Sequence, residues 1–143
     1  MEIAPTVERA AHLIGTYLDT TAGELGITQA EAHVLAQVAR HGPTAIATLH
    51  HEFGHKRSTL TNVVDRLERR KLVRRELNPA DRRSFVVHLT SSGRRAGARV
   101  TEVLDKLERE VTAQVDAADL ASLDVVARAL ETVVRGTSGP GRT

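Results

Sequence analysis

Two sets of side chains in this sequence have types and spacings that could do chemistry. The first is His51-Glu52-Phe53-Gly54-His55. It matches H-E-x-x-H, which places two zinc-binding imidazoles and a general-base Glu on one helical face, the arrangement of a zinc hydrolase. Gly54 argues against it, because a glycine inside a helix costs about 1 kcal/mol and opens a turn. The third ligand is also missing at the metzincin spacing, where Ser58 and Thr61 stand, and the next histidine is His88. A chance match in a His-containing turn is the expected reading. The second set is cationic. Residues 53–100 carry thirteen Lys and Arg against four Asp and Glu, a net +9, while the rest of the 143-residue chain carries seven against fourteen, a net −7. The overall charge of +2 hides this segregation. A basic centre between acidic flanks is the pattern of one module that binds a polyanion beside others with a different task.

Composition removes several other chemistries. Cysteine is absent, which excludes disulfides, thiol redox sensing, cysteine-ligated zinc and a cysteine nucleophile. Tyr17, Phe53 and Phe85 are the only aromatics, too few for a stacking groove that reads single strands. No Gly-x-Ser-x-Gly elbow supports Ser/His/Asp catalysis. With 41% hydrophobic and 27% charged residues, the chain has a globular balance. No apolar run approaches the roughly 18 residues of a membrane span and no signal-peptide layout opens it, so a cytoplasmic location without membrane contact is expected. No catalytic function and no cofactor are expected either.

The elements that must position the basic residues follow from periodicity. Val7, Ala10, Ala11, Ile14, Tyr17 and Leu18 predict a first helix over 6–22, broken by Gly23 and Gly26. Thr28-x-x-Glu31 reads as a capping box opening a second helix that His41-Gly42-Pro43 ends. A short third helix is predicted from Thr44 to about Glu52, stopped by Gly54, and a fourth from about Lys56 to Arg70 with Leu60, Val63, Val64 and Leu67 inward. Two strands, Leu72–Leu77 and Ser84–Leu89, flank the turn formers Asn78-Pro79-Ala80-Asp81 and the pair Arg82-Arg83, a hairpin with a basic tip. Thr90 is an N-cap candidate for a long helix over 91–115, and Asp116-Ala117-Ala118-Asp119 for a last one. Gly136 onward reads as a disordered tail.

This order is that of a winged helix-turn-helix: mainly α, with a small β-hairpin wing and helices at both ends for dimerisation. In that geometry the basic helix enters the major groove of double-stranded DNA. Lys56, Arg57, Ser58, Thr59, Thr61, Asn62 and Arg66 are the side chains able to reach base edges and phosphates. Arg82 and Arg83 at the hairpin tip can enter the adjacent minor groove, with Asp81 holding the Arg83 guanidinium in a fixed fork. The first, fifth and sixth helices carry long apolar stripes that a three-helix set buries poorly alone, so pairing of two chains across a two-fold axis is expected. Two recognition helices would then lie one DNA turn apart, on an inverted repeat with half-sites about 10 bp apart. The modules are therefore drawn as 28–99 for DNA binding, 1–27 and 100–135 for dimerisation, and 136–143 as tail.

The stretches LGITQAEAHVL and STLTNVVDRLERRKLVRRELNPADRRSFVVHLTSSG resemble the MarR (multiple antibiotic resistance regulator) family of bacterial transcription factors. The specific part runs from Ser58 through Asp81-Arg82-Arg83 to Leu89-Thr90-x-x-Gly93. The resemblance implies an obligate homodimer on a palindromic operator, sequence-reading contacts from the recognition helix and Arg83, and a small effector bound between the modules. A ligand-responsive repressor is the expectation, with His12, Tyr17 and His33 as candidate effector contacts. A metal-responsive regulator of the same fold is the alternative, with His12, Glu24, His33 and His41 as ligand candidates by rough location. Ordinary surface or capping histidines are favoured over it. The family has Gly where this chain has Lys71, a position that must accept a left-handed backbone or reshape the turn.

Overall fold

The computed structural model describes residues 1–54 and 57–137; His55, Lys56, the Arg57 side chain and residues 138–143 lie outside it. In chain order the elements are α1 (Ile3–Leu25), α2 (Gln29–His41), β1 (Thr44–Ala45), α3 (Ile46–Phe53), α4 (Arg57–Arg69), β2 (Val73–Asn78), β3 (Asp81–Leu89), α5 (Ser91–Thr112) and α6 (Ala117–Thr137). They form two compact units, Met1–Lys106 and Leu107–Thr143. The fold class is the one expected, mainly α with a small antiparallel sheet.

In the first unit, α1 is longer than its periodicity predicts. It begins at Ile3, with Pro5 in the first turn, where a missing N–H breaks no helical bond. It also runs through Gly23, because one glycine costs less than the remaining turn gains. Gly26 ends it at φ 67°, and the Ile27 N–H donates to the Ala22 carbonyl at 2.9 Å, so the last turn closes on a left-handed cap. Thr28 caps α2 by accepting from the Glu31 N–H at 3.2 Å. The reciprocal half of the predicted box is replaced, since the Glu31 carboxylate turns to Arg66.

The third helix starts later than predicted. Thr44 and Ala45 are extended and pair with Val87 and Val86, so β1 becomes an edge of the three-stranded sheet, order β1-β3-β2. Gly42 at φ 77° turns the chain into this strand, and the buried Thr44 hydroxyl donates to the Gly42 carbonyl at 2.7 Å. β2 and β3 form a hairpin in register from Val73↔Leu89 to Leu77↔Phe85, with an irregularity before Asn78↔Asp81; β3 begins at Asp81, so Arg82 and Arg83, expected in the connection, are strand residues. The core joins Leu18, Leu35, Leu49, Leu60, Val64, Leu67, Val73, Val87 and Val100, all fully buried. Every helix of this unit and the hairpin base contribute to it.

The second unit contains the end of α5 and α6. α5 stops at Thr112, short of the predicted residue 115, where the Gln114 N–H bonds the Val111 carbonyl and tightens the chain. Asp116 and Asp119 then cap α6 reciprocally, each backbone N–H donating to the other carboxylate at 3.0 and 2.9 Å. α6 continues through Gly136 and Thr137, two residues assigned above to the tail, while 138–143 lie outside the described residues.

Candidate nucleic-acid interface

α4 is built by its apolar stripe. Leu60, Val63, Val64 and Leu67 are buried, which turns Ser58, Thr59 and Asn62 outward and leaves Thr61 half-buried. Lys56 and the Arg57 side chain, placed with these residues by sequence, lie outside the described residues. Ser58, Thr59 and Asn62 present short hydroxyls and an amide, suited to base edges and phosphates.

Arg66, still 44% exposed, is also engaged within the protein. Its Nε donates to Glu31 Oε1 at 3.0 Å, and Glu31 is a buried residue of α2, 3% exposed. The pair pins α4 to α2, and Glu31 Oε2 has no hydrogen-bond partner among the described residues. The guanidinium supplies the hydrogen bond that keeps a buried carboxylate tolerable. Arg66 is thus an anchor of the helix before it is a candidate DNA contact.

The wing follows from the chain reversal after α4. Lys71 takes φ 60°, the left-handed conformation that glycine would accept without strain. The Leu72 N–H donates to the Leu67 carbonyl at 3.0 Å, and the Thr90 hydroxyl donates to the Lys71 carbonyl at 2.7 Å while capping the Gly93 N–H at 3.0 Å. One threonine therefore closes the helix–wing turn and opens α5. A Cβ on Gly93 would stand 1.8 Å from the Leu72 carbonyl oxygen, so only glycine lets α5 start against the hairpin base. These contacts give Leu89-Thr90-x-x-Gly93 its physical meaning.

At the tip, Asn78 Oδ1 accepts from the Ala80 N–H at 3.1 Å and Asp81 Oδ1 from the Arg83 N–H at 3.0 Å. Asp81 supports the wing through the Arg83 backbone and not through a guanidinium fork, because an Asx turn engages the nearer group. Arg82 and Arg83 are exposed. Sequence reasoning counted Arg75 only as charge. It reaches from β2 to Asp65 and Glu68 on α4, at 2.5 and 3.1 Å. The hydrogen bond to Glu68 and the charges of Glu68 and Asp65 raise its pKa against the lowering effect of burial. The signal available was the i,i+3 spacing of two carboxylates ahead of an Arg-containing strand.

The other candidates lie on α1, α2 and the end of α3. His12 is exposed and Tyr17 half-buried on α1, and the His33 ring on α2 lies 6.1 Å from that of Phe53, tilted by 51°. Glu24 is bonded by Arg99. Among the described residues no three His, Asp or Glu side chains form a group able to hold a metal. α3 ends at Phe53 with Gly54 at φ 64°, so the helix that H-E-x-x-H requires stops before its second histidine, and His55 lies outside the described residues. Among the described residues no helix is long and apolar enough to cross a membrane.

Helix, turn, outward-facing helix and basic hairpin define the class as a winged helix-turn-helix protein. The sequence profile of the MarR family matches residues 25–84 of this chain. The chain is similar to the HTH-type transcriptional repressor MdtR of Bacillus subtilis, 35% identical over 68 residues that cover 48% of this chain and 44% of that protein. The match thus spans less than half the length of that relative. Among solved structures, the transcription regulator MarR from Oenococcus oeni superposes with a TM-score of 0.80 at 20% identity, over 91% of this chain and 99% of that one. A Staphylococcus aureus MepR–DNA complex does so with 0.74 at 18% identity, over 94% and 99%. At these identities the likeness is one of fold.

Proposed function

We propose that this chain is a sequence-specific DNA-binding transcription regulator of the MarR type, acting as a homodimer on a palindromic operator and as a ligand-responsive repressor. The observation that carries the reading is the joint exposure of the α4 polar face and the Arg82-Arg83 wing tip within the segment of net charge +9. Phosphate contacts from such a face supply sequence-independent affinity, and Ser58, Thr59 and Asn62 are the residues proposed to add base discrimination. That MepR is solved on DNA and that MdtR is a repressor support the same reading by analogy.

Dimerisation is supported by apolar surface without a cover. No residue of α6 is buried, and Leu120, Leu123, Val125, Leu130, Val133 and Val134 are all exposed. On α1, Ile3, Val7, Leu13 and Ile14 are exposed as well. Stripes of this size on single helices are what a second copy would bury. Selection from random-sequence duplexes, followed by footprinting with and without added divalent metal, tests the reading. A protected inverted repeat with half-sites about 10 bp apart is expected; absence of any selected duplex would sink it. Metal-dependent protection would favour the metal-responsive form, with histidines such as His12 and His33 as the residues to replace.

A further inference from the structure

Arg75, on β2, touches two other elements at once. From β2, its Nη2 donates to Asp65 Oδ1 at 2.5 Å and to Glu68 Oε1 at 3.1 Å, both on α4. Its Nε and its backbone N–H converge on Glu68 Oε2, at 3.3 and 3.2 Å. On the remaining side, its Cζ lies 5.1 Å from the centroid of the Phe85 ring on β3. We infer that Arg75 is the positioning residue that sets the angle of the wing against the recognition helix. The inference rests on the DNA-binding reading above and assigns its regulation of reach to a residue that need not touch DNA.

The geometry is that of a lever. The hairpin leaves α4 at the Lys71 turn, and its tip at Pro79-Ala80 lies eight or nine residues further on. β1 pairs with β3 at Val86 and Val87, opposite Glu76 and Arg75. The free arm is therefore the stretch from Glu76 to Ala80, about 13 Å at ~3.3 Å per residue. A swing of about 20° moves its end by ~4 Å, enough to take Arg82 and Arg83 out of a groove. The backbone bonds at the turn and the pairing with β1 hold the hairpin base. Arg75 stands where the free arm begins, and both carboxylates it uses are on the helix whose register with the wing matters. Its planar fork suits two carboxylates and an aromatic face together, which a lysine ammonium cannot match.

The absence of cysteine makes the test direct. Spin labels on Ala80→Cys at the wing tip and Ala47→Cys on the exposed side of α3, in chains diluted with excess unlabelled protein, report one intrachain distance. Arg75→Gln is expected to broaden that distance distribution, and Asp65→Asn, which keeps the arginine, to broaden it less in the same direction. Affinity for a duplex selected by the wild-type protein supplies the second readout. Arg83→Ala is expected to weaken binding about tenfold or more in the wild-type background. In the Arg75→Gln background the loss should be less than about threefold, because a loose wing has already lost that contact. An unbroadened distance, or the same Arg83→Ala loss in both backgrounds, overturns the inference. If no duplex is selected at all, the DNA-binding reading fails, and the width of the distance distribution still decides the clamp.

Discussion

Lys71 and Gly93 shape the turns at the base of the basic hairpin, and Arg83 stands exposed near its tip. Lys71 holds a left-handed backbone, which costs an L-residue roughly 1–2 kcal/mol, part of which glycine loses again through unfolded-state entropy. Lys71→Gly should therefore raise stability by ~1 kcal/mol, read as a higher denaturation midpoint with an unchanged slope. Gly93→Ala should act oppositely. Its Cβ meets a backbone carbonyl at 1.8 Å, where no flexible side chain can give way, and a loss of ~2 kcal/mol or more is expected in the same measurement. Arg83 is the residue to remove for function alone: it is exposed, and its backbone N–H, which Asp81 holds, survives truncation. Arg83→Ala should cost ~1–3 kcal/mol in operator binding without lowering the melting temperature, and equal binding by the variant would remove the wing from the mechanism.

Between elements, charge pairs decide how α4 sits. Its four buried aliphatics could pack over a range of helix rotations, and the Glu31–Arg66 pair on one flank and the Arg75 cluster on the other narrow that range. Arg66→Ala removes the donor from a buried carboxylate and should destabilise the free protein by about 2 kcal/mol, the loss moderated because the guanidinium is 44% exposed. A thermal melt without DNA separates this role from a phosphate contact, which would leave the melt unchanged. The inward face of α4 was legible because its spacing is helical. The Arg66 partner was not, since Glu31 lies 35 residues away and reads as the second half of a local capping box. β1 escaped for a similar reason. Two residues carry no periodicity, and their extended conformation exists because β3 offers an edge to pair with.

At the scale of the whole molecule, the proposed function requires a surface cover for α6 and a polyanion for the basic segment. Leu123 is 63% exposed in the middle of an apolar stripe; Leu123→Asp should shift the sedimentation equilibrium from dimer toward monomer and make the melting temperature fall more steeply on dilution. A concentration-independent monomer for the unmodified chain would remove the homodimer from the proposal. Binding to the selected duplex should also lose affinity steeply with salt, log K against log salt falling by about 0.9 for each phosphate neutralised. A flat dependence would mean that the +9 segment does not meet the backbone.

The sequence by itself determined the helices with a single apolar stripe, the caps at Thr28, Thr90 and Asp116–Asp119, the hairpin and the charge segregation. Each of these is a local pattern, written within one or two turns of chain. Only the tertiary structure decided which cations are available. Arg66 and Arg75 were indistinguishable from Arg82 and Arg83 as charges in one run, yet the first two are held by carboxylates on neighbouring elements, Arg66 while still partly exposed, and the last two stand exposed near the hairpin tip. The physical reason is that an ion pair forms between groups brought within a few ångströms by packing of distant segments, and formal charge along the chain carries no record of that distance.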